Sequence, residues 1–121
     1  ALVLGVPVIG TEADLPRLRA EGIGAAFVAI GDNHARQRIG AALAALGFHV
    51  PAAIHPAAFV SPTAVIGRGA AVLTRAVVGA ETFARDFVII NTGAIVDHDN
   101  VLHEAAHIAP GCALAGHVTV G

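Results

Sequence analysis

The sequence predicts a mainly β chain, a parallel β-helix preceded by a small α/β unit. Three observations predict it. The chain has 121 residues, 55% of them hydrophobic and only 13% charged, which excludes a disordered segment. Residues 1–50 alternate short apolar runs with capped helical segments. From Ile54 onward a six-residue rhythm runs to the last residue without one insertion.

In the first unit, Val6–Gly10 reads as a short strand, and Thr11 to Leu15 supplies capping residues for a helix through Arg19. Gly22 and Gly24 break that helix. Ala25–Ile30 is a continuous apolar run, expected of a strand covered on both faces. Gly31, Asp32 and Asn33 turn the chain, and Asp32 or Asn33 caps a helix over His34–Leu46 that ends at Gly47. This βαβα order implies a parallel sheet. So few elements make a poor independent domain, and a further opening strand is expected ahead of residue 1.

In the second unit, 51–121, every sixth residue from Ile54 to Val120 is aliphatic. Of twelve such positions eleven are Ile, Val or Leu, and Ala84 is the exception. The fifth position of each hexad is nearly always small, as at Ala58, Ala64, Ala70, Ala76, Ala94 and Cys112. Each hexad makes one short strand and a corner, and three close a coil of about 18 residues. The first-position aliphatics then stack inside the prism, and small side chains fit inward near the corners. The repeat breaks off at Gly121, one residue into a hexad, so further coils are expected beyond it.

Charge and composition remove several function classes. Net charge is −2, all seven basic residues are Arg, and no basic run exists, so nothing marks a nucleic-acid or anionic-lipid surface. Mean hydropathy is +0.72, yet no stretch of about 18 unbroken apolar residues suggests a spanning helix. Trp and Tyr are absent, which disfavours base stacking. A single cysteine, Cys112, fits a reducing cytoplasm and is read as a small inward core residue.

The order of motifs is specific: Ala29-Ile30-Gly31-Asp32-Asn33 with Arg36, Ile54-His55-Pro56, Ile90-Asn91-Thr92, Val96-Asp97-His98-Asp99, His107, Ala109-Pro110-Gly111 and Ala115-Gly116. In this order the chain resembles the NeuD/PglD type of sugar acetyltransferase in the left-handed β-helix (hexapeptide repeat) superfamily. Within that type it is similar to the GDP-perosamine N-acetyltransferases. The resemblance implies a left-handed coil, a partial Rossmann-like domain over 1–50 that holds a nucleotide-linked amino sugar, and a homotrimer with acetyl-CoA between neighbouring β-helices. It implies no metal. The family's Gly-rich first turn is absent here.

By the same resemblance His98 is the general base and Asp99 its acidic partner, standing where some members carry the longer Glu. An imidazole that titrates near neutrality suits removal of the amine proton. Asp97 is a second candidate partner. His107 matches the histidine that contacts acetyl-CoA. It lies half a coil after His98, so the two side chains leave different sides of the prism, a geometric reason to expect a trimer. Gly31, Asp32 and Asn33 follow a strand, where backbone amides can meet a nucleotide sugar, and a helix cap with a turn glycine accounts for them equally well. His34, His49, His55 and His117 read as surface or corner residues, with His117 close to His98 one coil on.

Three other functions fit parts of the pattern. O-acetylation of a sialic acid or another sugar keeps the chemistry and changes the acceptor. A γ-class carbonic anhydrase has the same coil, and His98 and His103 have a suggestive separation, but Pro62 stands where an earlier metal histidine is needed. A non-catalytic trimeric module uses the coil for assembly alone.

Overall fold

The computed structural model describes residues 1–121. It opens with an antiparallel hairpin of β1 (Leu2–Val3) and β2 (Val6–Pro7). Leu4 and Gly5 turn it, both at positive φ as two-residue hairpins require. A 3-10 turn (Glu12–Asp14) leads into α1 (Leu15–Ala20), and the Thr11 amide donates to the Asp14 carboxylate at 2.8 Å. Helix α2 (Asn33–Ala45) starts at Asp32, whose carboxylate accepts from the Ala35 amide at 2.7 Å.

The parallel sheet expected over residues 1–50 does not form. Ala25–Ile30 makes only one parallel bridge, Ala25 to His49. No strand pairs alongside this stretch, and β2 pairs only with β1. Val28 from this stretch still joins Leu43, Phe48 and Val50 in a small buried core.

The predicted β-helix is present. It is a parallel solenoid of about four turns built from twelve two-residue strands. One sheet holds β3 (Ala53–Ile54), β6 (Ala71–Val72), β9 (Ile89–Ile90) and β12 (His107–Ile108). A second holds β4 (Phe59–Val60), β7 (Val77–Val78), β10 (Ile95–Val96) and β13 (Ala113–Leu114). The third holds β5 (Val65–Ile66), β8 (Phe83–Ala84), β11 (Val101–Leu102) and β14 (Thr119–Val120). The second residue of each strand points inward: Val72, Val78, Ala84, Ile90, Val96 and Leu102 are fully buried. Each Val, Ile or Leu among them contributes about 1.5–3 kcal/mol by leaving water. At the end coils the inward positions lose cover. Ile54 is half exposed, and Cys112 is exposed rather than a core residue, because it lies in the last coil.

Corners recur at Gly69, Arg75, Glu81, Phe87, Gly93, Asp99, Ala105, Gly111 and His117, all at positive φ. Phe87 is buried and lies over Gly40 of α2, which fastens the first unit to the solenoid. Arg36 completes the joint. It is 1% exposed, and its guanidinium donates to the carbonyls of Phe87 and Ala105, each at 2.7 Å.

Candidate active site

His98 stands at the corner between β10 and β11. The corner is pinned from inside. The Asp97 carbonyl accepts from Thr82 Oγ1 at 2.7 Å and Asn100 Nδ2 at 3.0 Å, while Asn100 Oδ1 accepts the Val118 amide at 2.6 Å. Thr82 and Asn100 are fully buried and sit at inward fifth positions in adjacent coils. Polar residues at positions otherwise small and apolar are a signal, readable in sequence, that a corner is being fixed.

The imidazole Nδ1 of His98 lies 2.8 Å from Asp99 Oδ2, so the shorter carboxylate reaches. Asp97 is not the ring's partner: its Oδ1 accepts the His98 backbone amide at 2.8 Å. The hydrogen bond to Asp99, aided by the nearby Asp97 charge, raises the His98 pKa above the ordinary 6.5. With Nδ1 held, Nε2 is free of hydrogen-bond partners within the chain, and the side chain is 51% exposed. His117, one coil on, brings its ring edge-on to His98 with centroids 5.4 Å apart, and its Nε2 is 3.9 Å from Asp99 Oδ2. His103 does not join this cluster. The three-histidine arrangement of a carbonic anhydrase is therefore not assembled around His98.

His107 is the outward residue of β12, on a different sheet from the strands that flank His98. Asn91 Nδ2 lies 2.9 Å from its Nε2. With the amide donating, Nε2 accepts and the ring proton sits on Nδ1. Both residues line a cavity of about 280 Å³ between the Phe27–Gly31 segment and the sheet, so the fold brings His107 and Gly31 together. Asp32 and Asn33 are committed structurally. Asp32 caps α2, and Asn33 Oδ1 accepts from Arg36 at 2.8 Å. The Gly31 carbonyl also accepts from Arg36, at 3.1 Å.

No family model matches the chain. Solved structures do. A perosamine N-acetyltransferase from Caulobacter crescentus, crystallised as a His-to-Asn variant with CoA and GDP-perosamine, superposes with a TM-score of 0.96 at 47% identity, over 98% of this chain and 57% of that one. PerB from the same organism, with the same two ligands, gives 0.94 at 49% identity, over 97% and 56%. Over nearly its whole length, then, the chain is similar to perosamine N-acetyltransferases. A third relative, the acetyltransferase domain of PglB from Neisseria gonorrhoeae with acetyl coenzyme A, superposes at 0.93 with 46% identity, over 98% and 58%. The chain thus spans a little over half the length of these sugar acetyltransferases.

Proposed function

We propose that this chain carries the catalytic histidine of an acetyl-CoA-dependent N-acetyltransferase acting on a nucleotide-linked amino sugar, GDP-perosamine or a UDP-linked relative. The observation that carries the reading is the His98–Asp99 pair, 2.8 Å apart on an exposed corner. Its free Nε2 takes the proton as the sugar amine attacks the thioester carbonyl. The C–N bond forms, the C–S bond breaks, and the imidazolium returns its proton to the departing sulfur, so CoA leaves as thiol and His98 is neutral again. Asp99 holds Nδ1–H and stabilises the imidazolium that forms. The neighbours crystallised with CoA and GDP-perosamine support the substrate class, and two of them had one histidine replaced, by Asn or by Ala.

A homotrimer fits the surface. Two outward ladders flank the His98 corner: Phe59, Val77, Ile95 and Ala113 on one sheet, Val65, Phe83, Val101 and Thr119 on the next. Phe59, Val65, Phe83 and Ile95 are 42–58% exposed, an apolar surface suited to burial against another copy. No cavity of the single chain opens at His98, so a walled site needs that second copy. His107 then meets acetyl-CoA. Residues 1–50, read as part of a Rossmann-like unit, present Gly31, Asp32 and Asn33 to the nucleotide sugar through backbone and loop shape. The reading includes the left-handed coil and a cytoplasmic location, and no helix of the chain is long and apolar enough to cross a membrane. The test is incubation with acetyl-CoA and a panel of nucleotide-linked amino sugars, read by mass spectrometry. A product heavier by one acetyl group is expected; none across the panel contradicts the reading.

A further inference from the structure

We propose that His98, Asp99 and His117 bind one borderline divalent cation of the zinc class, and that its occupancy switches off the base. The three side chains form the one cluster of metal-capable groups in the chain, with a ligand atom from each within 4.8 Å of the others. A tetrahedral zinc-class ion with bonds of about 2.0–2.2 Å sets its ligands about 3.3–3.6 Å apart. The two resolved edges bracket that span: 2.8 Å from His98 Nδ1 to Asp99 and 3.9 Å from His117 Nε2 to Asp99. Side-chain rotation alone closes the difference, because all three groups are exposed.

The backbone beneath is fixed. Asp99 and His117 both occupy left-handed corners of stacked coils, and the His117 amide donates to the His98 carbonyl at 3.1 Å. The cluster therefore exists before any ion arrives. Two imidazoles and one carboxylate select zinc, cobalt, nickel or copper over magnesium and calcium, which want oxygen cages. The Asp97 carboxylate, whose charge His98 feels, adds a favourable field. One coordination position stays open to water. An ion bound at His98 Nδ1 displaces the proton that Asp99 holds there and leaves the ring proton on Nε2, so no lone pair remains for the sugar amine. The inhibitory half rests on the proposed role of His98, whereas the binding half does not.

The experiment is titration of the chain with cobalt(II), followed in the visible spectrum, with zinc as competitor. Expected are one cobalt per chain, the intense bands of tetrahedral coordination, and displacement by one zinc. His117→Asn, a residue that tolerates the left-handed corner, weakens binding at least tenfold, while His103→Gln leaves it unchanged. Absence of stoichiometric binding, or binding indifferent to His117→Asn, overturns the site. In an acetylation assay, zinc at the affinity found by titration halves turnover, a chelator restores it, and His117→Asn resists. Full turnover with the site loaded overturns the switch. Cobalt binding without any acetylation defeats the proposed function and leaves the site standing.

Discussion

Gly116 carries the imidazole of His98. A Cβ built on Gly116 would lie 2.5 Å from His98 Cε1 and 2.7 Å from Nε2, closer than any real Cβ contact. The glycine is there for close approach, since its φ is not positive. Gly116→Ala forces the ring to turn away from Asp99. The ring is exposed, so the fold loses little, about 1 kcal/mol or less. Displacing a catalytic group by about 1 Å costs about 100-fold in turnover. Paired assays of unfolding and acetylation check this split; an active Gly116→Ala protein contradicts it.

Asp99→Asn changes the titration of His98 in a defined direction. The carboxylate's hydrogen bond raises the imidazole pKa, so its removal lowers the midpoint toward 6.5. The base must be neutral to act, so the acid limb of the rate profile moves to lower pH while the plateau falls. A raised folded-state pKa also means that this pair's small stabilisation is full below the unfolded value and fades as pH rises through the folded midpoint. NMR titration of the His98 ring reads the shift directly. An unchanged or higher midpoint would remove Asp99 as the partner.

Arg36 holds the two units together without an acid partner of its own. Its guanidinium donates to four carbonyls, of Ile30, Gly31, Phe87 and Ala105, and to Asn33 Oδ1. Arg36→Ala orphans the buried carbonyls of Phe87 and Ala105, each worth about 1–3 kcal/mol when unsatisfied. A loss of roughly 2–4 kcal/mol is expected in urea unfolding. Arg36→Lys recovers only part, because an ammonium lacks the planar fork. A change below about 0.5 kcal/mol, the range of ordinary surface substitutions, would contradict the joint.

Ile95 sits outward on β10 beside the His98 corner, 47% exposed. Ile95→Glu places a charge in the apolar ladder and spares the inward core. Sedimentation velocity should report a trimer for the parent protein and monomer for the variant, with an unchanged β spectrum. An oligomer that ignores the substitution locates the interface elsewhere.

The rhythm of the solenoid was legible because one inward residue per hexad must be aliphatic wherever coils stack on both sides, as Val72, Ile90 and Leu102 do. The corners were less so. Only three of the nine left-handed corner residues are glycine, so Asp99 and His117 carry that conformation with no mark in the sequence. The His98–Asp99 contact joins neighbours in the chain, whereas His117 approaches only through the coil period. Ala25–Ile30 misled for a different reason. An apolar run does not by itself make a strand covered on both faces: here only Val28 is buried, against Leu43, Phe48 and Val50, while Phe27 and Ile30 stay 36% and 39% exposed, and the run makes a single bridge. Asp32 and Asn33 were read both ways, and their side chains serve the cap and Arg36.

The most direct measurement is the turnover of His98→Ala with acetyl-CoA and GDP-perosamine, beside the parent protein at equal concentration. General-base catalysis is worth about 10²–10⁴ in rate, so turnover should fall by that factor while the circular dichroism spectrum and oligomeric state stay unchanged. Near-parental acetylation by a folded His98→Ala protein would contradict the assignment of the base.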